Sequence, residues 1–188
     1  MAMKKMLYLV LFVMSTGSAI AQQKYFSKAV KISFFSKSPL ENIEAVNNKG
    51  LCVWDVATGQ IELSVLMKGF EFEKGLMQEH FNENYVESDK YDKAIFTGTI
   101  DNSKSVSFAT DNAVTLKVNG SLTMHGVNNP VSTTALITVK NGIVSASANF
   151  SIVLADYKIS IPSLVEDKIN KRIAIAVNVP AFQVLASK

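Results

Sequence analysis

Glu79, His80 and Glu83 fall within one short stretch, GLMQEHFNENYVESDKY (75–91), which holds one of only two histidines in 188 residues. An imidazole with carboxylates one and three positions away is the material of a zinc or iron site. Two carboxylates four apart could also divide general-acid and general-base work. A stable metal site, however, needs three or four protein ligands, and the pairing of two histidines four apart is absent. The second histidine, His125, lies 45 positions away in Thr123-Met124-His125-Gly126-Val127, where it reads as a turn residue before Pro130. There is no G-x-S-x-G elbow, no Cys/His nucleophile pair and no glycine-rich phosphate loop. The residues lead to no catalytic centre, no metal and no cofactor.

The element that carries them changes period. Met77, Phe81 and Tyr85 recur at i, i+4 and i+8, with Leu76 beside them, and Glu79, Glu83 and Glu87 recur on the opposite side. This is the pattern of a short amphipathic helix over about residues 76–86, apolar face down and carboxylates in water. Carboxylates four apart on such a helix are ordinarily a solvated face.

Around it the chain alternates with period two, as strands do. Strands are expected at 29–35, 40–47, 51–56, 60–68, 93–100, 105–109, 114–124, 131–140, 143–154 and 172–185. Asn48-Lys49-Gly50 and Ala57-Thr58-Gly59 read as turns, and Asn141-Gly142 is a strong type I′ hairpin signal. Along 143–154 one face carries Val144, Ala146, Ala148, Phe150, Ile152 and Leu154, while hydroxyl and amide residues dominate the other. A sheet with one buried side has this composition. So many strands either close into a barrel or split into a sandwich. The small side chains on the apolar face favour a barrel of about eight strands with room for a small ligand.

The first residues set the compartment. Lys4 and Lys5, the apolar run Met6–Met14 and Ala19-Ile20-Ala21 form a secretory signal peptide, with cleavage expected after Ala21. The apolar run is shorter than the ~20 residues a spanning helix needs. A mature domain over 22–188 has 17 basic against 16 acidic residues once Lys4 and Lys5 are gone. That balance gives no attraction for nucleic acid and no stable hold on a membrane. Cys52, the only cysteine, allows no internal disulfide and sits among apolar residues, so the core must hold the fold.

Several ordered motifs resemble the YceI-like family. They are Met77-Gln78-Glu79-His80-Phe81-Asn82-Glu83-Asn84-Tyr85, then Glu87-Ser88-Asp89-Lys90-Tyr91, and Gly120-x-Leu122-Thr123-x-His125-Gly126-Val127. Phe70-x-Phe72 before the helix and Asp156-Tyr157 with Ile161-Pro162 near the last strand also fit, over about residues 25–182. The resemblance implies a lipocalin-like, extended antiparallel barrel with one short helix, exported and non-catalytic. Some of its members bind polyisoprenoids or other long-chain amphiphiles inside the barrel. On that footing Phe70, Phe72, Leu76, Met77, Phe81, Tyr85, Phe96 and Phe150 are the candidates for contact with a lipid. His80 and Asn84 are the candidates for its head group at the mouth. The expected partner is an isoprenoid-like or similar amphiphilic lipid, in the periplasm or outside the cell, with monomer and homodimer both open. The competing reading is a non-catalytic interaction or stress-related domain without a stoichiometric ligand.

Overall fold

A computed structural model describes residues 24–185. The expected signal peptide and its cleavage point lie outside the described residues. Nine strands form one antiparallel sheet: β1 (Lys24–Lys37), β2 (Asn42–Asp55), β3 (Gln60–Leu66), β4 (Glu71–Phe72), β5 (Lys93–Ile100), β6 (Asn112–Met124), β7 (Val127–Lys140), β8 (Ile143–Val153) and β9 (Arg172–Leu185). Their order is β1-β9-β8-β7-β6-β5-β3-β2-β4, and β1 also pairs with β2. The sheet therefore closes as an eight-stranded barrel rather than splitting into a sandwich. The two-residue β4 is an extra strand on Ala45 and Val46 of β2.

Two-residue turns set the register where the chain doubles back. Asn141 and Gly142 have φ of 51° and 77°, the positive values that a type I′ turn needs. His125 and Gly126 do the same between β6 and β7, at 51° and 72°, with Met124 opposite Val127. At Ala57-Thr58-Gly59 the Asp55 carboxylate accepts the Ala57 and Thr58 amides at 2.9 and 3.2 Å.

Two expectations need correction. Residues 105–109 are not a strand. A 3-10 turn at Ser103–Ser105 is followed by a loop in which the Asn112 amide group donates to the carbonyls of Ser107 and Thr110. These local bonds displace a ladder, and the loop aims Phe108 at the end of the barrel. Asn48-Lys49-Gly50 is not a turn either, because β2 runs unbroken past it opposite an irregular stretch of β1. Asn47 there is buried, donates to the Leu66 carbonyl at 2.9 Å and accepts the Lys49 amide at 2.8 Å. Gly50 lies so close to β1 that a Cβ would sit 3.0 Å from the Val30 carbonyl oxygen. The polar residues and the glycine thus build an irregular crossing instead of a reversal. The short helix expected over about 76–86 is present, as α1 (Gly75–His80) continued by a wider π turn over Phe81–Tyr85.

The β7–β8 ladder is incomplete. Pairing runs from Lys140 and Ile143 only to Ala135 and Ala148, while β7 continues back to Val127 and β8 on to Val153. The remainder is tied by side chains: Thr133 Oγ1 donates to the Asn149 carbonyl, and Asn129 Nδ2 to that of Asp156, each at 2.7 Å.

Candidate functional site

The interior has two aromatic ends. At one, Tyr25, Trp54, Phe108 and Phe182 pack with ring centroids 5.0–6.2 Å apart. Trp54 is fully buried, and its indole N–H donates to Ser103 Oγ at 2.9 Å. These rings form a floor. At the other end Phe34, Phe70, Phe72 and Phe81 meet at 5.1–5.8 Å. Four connections frame that end, the mouth: the β1–β2 loop, the β3–β5 connection with α1, the His125-Gly126 turn and the β8–β9 connection.

Between the two ends lies a cavity of about 490 Å³ with an almost wholly apolar lining. Its wall is built from inward-facing side chains of every barrel strand, Ala135, Ala146 and Ala148 among them. These small residues leave the volume that larger ones would fill. Along β2 the lining runs from Ile43 at the mouth to Trp54 at the floor. That is roughly 35 Å of strand, or about 27 Å along the axis at ordinary barrel tilt.

Phe70, Phe72, Leu76, Met77, Phe81, Tyr85, Phe96 and Phe150 all border this cavity, and so does His80. Asn84 is exposed and does not border it. Met77, Phe81 and Tyr85 are half-buried over the cavity, whereas Glu79 and Glu83 are exposed. Leu76 borders the mouth while 64% exposed. Burial raises the pKa of the Tyr85 hydroxyl. It pushes the Cys52 thiol, also in the lining, up to about 12, which leaves no thiolate for nucleophilic work.

Sequence reasoning missed the charged rim. Glu41, Lys74 and Lys168 border the cavity from three different connections. Lys74 Nζ is 2.7 Å from Glu41 Oε1. That hydrogen bond holds the Glu41 carboxyl below the ordinary carboxylate range, against some desolvation, and the Lys74 and Lys168 charges add to it. Ser38 shapes the loop that presents Glu41: its hydroxyl accepts the Leu40 and Glu41 amides at 3.3 and 3.0 Å. No periodicity marks these residues, because they meet only once the barrel has closed. Phe34 was missed for a related reason. Phe34 and Phe35 are adjacent on a strand and face opposite ways, so only the register says which is inside.

The second histidine has a partner that its spacing hides. Nε2 of His125 is 2.7 Å from a Glu87 carboxylate oxygen, and Nδ1 is 2.9 Å from the Tyr157 carbonyl oxygen. The Tyr91 ring meets the imidazole edge-to-face at 4.7 Å. An imidazole–carboxylate pair is a familiar catalytic unit. Here His125 and Glu87 do not border the cavity, and both ring nitrogens are engaged in joining loops. Among the described residues, no three His, Cys, Asp or Glu side chains gather as a metal site, and no helix is long and apolar enough to cross a membrane.

Solved structures share this architecture. A polyisoprenoid binding domain from Saccharophagus degradans, implicated in plant cell wall breakdown, matches with a TM-score of 0.75 at 14% identity, over 87% of this chain and 99% of that one. Burkholderia cenocepacia BcnA matches with a TM-score of 0.66 at 14% identity, over 80% and 94%. A mutant Campylobacter jejuni YCEI protein with a monobromobimane guest matches with a TM-score of 0.53 at 17% identity, over 74% and 81%. At these identities the likeness is one of fold. No curated protein matches the sequence. The YceI-like domain profile matches residues 27–181, nearly the whole barrel, and the chain belongs to that family.

Proposed function

We propose that the protein is an exported, non-catalytic carrier that holds the hydrophobic chain of a polyisoprenoid or similar lipid inside its barrel. The observation that carries this reading is the cavity: about 490 Å³, apolar along its length, floored by aromatic rings at one end and framed by four connections at the other. Each methylene moved there from water is worth about 0.8 kcal/mol, so ten contribute roughly 8 kcal/mol before ordering costs. Phe70, Phe72, Leu76, Met77, Phe81, Tyr85, Phe96 and Phe150 contact the chain, with His80 near its head. The polyisoprenoid-binding description of the Saccharophagus domain supports the ligand class, and the leader-like residues 1–21 support export to the periplasm or beyond.

Native mass spectrometry of the protein from its exported fraction, followed by solvent extraction, tests the reading. The expected result is a stoichiometric long-chain lipid that Phe81→Glu loses. A clean apo mass, with no uptake from membrane extracts, overturns the carrier and favours an interaction domain.

A further inference from the structure

Three formally charged side chains border a cavity whose lining is otherwise mostly apolar, and they cluster at its mouth: Glu41, Lys74 and Lys168. They reach it from the β1–β2 loop, the residue before α1 and the end of the 3-10 turn Ser163–Lys168. Lys74 and Lys168 are exposed at the rim, and Glu41 is half-buried between solvent and the cavity. The pairing is uneven, because two ammonium groups act on a single carboxylate. Lys74 bonds Glu41 directly at 2.7 Å, and Lys168 acts on the same carboxyl through space. Glu73 also acts on Lys74 through space, but it is exposed and outside the lining. Glu41 is itself fairly enclosed, with 23% of its side chain accessible.

A chain seated tail-first against the Trp54 floor brings its head to this rim. The geometry points to a ligand with an anionic head group, phosphate or carboxylate, held by Lys74 and Lys168 in competition with the Glu41 carboxylate. The inference rests on the carrier reading. Glu41 acts as an internal competitor: it keeps the lysines in place without a ligand and yields one or both of them to an incoming anion. A neutral alcohol gains none of this, since the rim's charges already compensate one another in part.

Binding of three C20 isoprenoids that differ only in the head group tests it: geranylgeraniol, geranylgeranyl phosphate and geranylgeranoic acid. The anionic ligands are expected to bind about tenfold or more tighter than the alcohol, the size of one charge-assisted hydrogen bond. Lys74→Met and, separately, Lys168→Met are expected to reduce the ratio of anion to alcohol affinity, while Glu41→Gln increases it. An effect on the phosphate alone, or on the acid alone, supports the site and identifies its head group. Equal binding of all three ligands, unmoved by the variants, overturns the head-group site and leaves the carrier standing. No binding of any of the three overturns both.

Discussion

The Glu87 carboxylate and the His125 imidazole, 38 residues apart in sequence, meet at 2.7 Å across the mouth end of the barrel. His125 thereby joins the segment after α1 to its own turn, and its other nitrogen joins that turn to the Tyr157 carbonyl. His125→Asn keeps a residue that tolerates positive φ but loses both bonds. Unfolding in urea is expected to show a loss of about 1–3 kcal/mol. Glu87→Gln, which keeps a neutral partner, is expected to lose less. Equal stability of the wild type and both variants would refute the joining role.

Gly126 and Gly142 occupy equivalent turn positions at φ of 72° and 77°. Alanine is strained at either one. At Gly126 its Cβ would also lie 2.7 Å from the Tyr91 ring, whereas nothing lies within 4 Å at Gly142. Gly142→Ala is expected to cost about 1 kcal/mol and Gly126→Ala clearly more. Thermal melts of the two variants decide the order.

Cys52 gives a pH prediction. Burial raises its thiol from an ordinary value of 9.0 to about 12, so the folded state keeps the proton that the unfolded state gives up. The contribution is whole below pH 9 and falls by about 1.4 kcal/mol per unit above it, until the folded thiol also ionises near 12. The alkaline decline in stability should be shallower in Cys52→Ala. At pH 8 the native protein should resist thiol reagents and react once unfolded.

The short β7–β8 ladder predicts uneven amide protection. Amides of residues 128–134 that point away from β6 have no β8 ladder partner, whereas those of 135–140 do. Hydrogen exchange should be faster in the first group by orders of magnitude. Uniform protection along β7 would contradict the gap.

Much of this architecture was legible in the sequence, because its signals are local. Asn141-Gly142 fixes a hairpin by φ alone, and the alternation in 143–154 names the inward residues. The helix announced itself through Met77, Phe81 and Tyr85. What escaped depends on closure. Asn48-Lys49-Gly50 has turn chemistry, yet the packing of Asn47 and Gly50 against neighbouring strands turns it into an irregularity within β2. Residues 105–109 have strand composition, but Phe108 serves the floor and local side-chain bonds hold the loop. The Glu41, Lys74 and Lys168 rim joins residues more than 120 positions apart, a distance no periodicity spans.

The aromatic floor makes the barrel a cul-de-sac. On the carrier reading proposed above, a guest would enter and leave by one opening, so it could be neither threaded through nor pushed out from behind by its successor. Exchange is strictly sequential and its direction is fixed: the last part to enter is the first to leave. Each additional methylene drawn inside slows departure about fourfold, since about 0.8 kcal/mol must be given back on the way out. Chain length up to the floor therefore acts as a timer on residence. Delivery by such a carrier would then require a receiving surface that can take hold of the head at the mouth before the tail has moved.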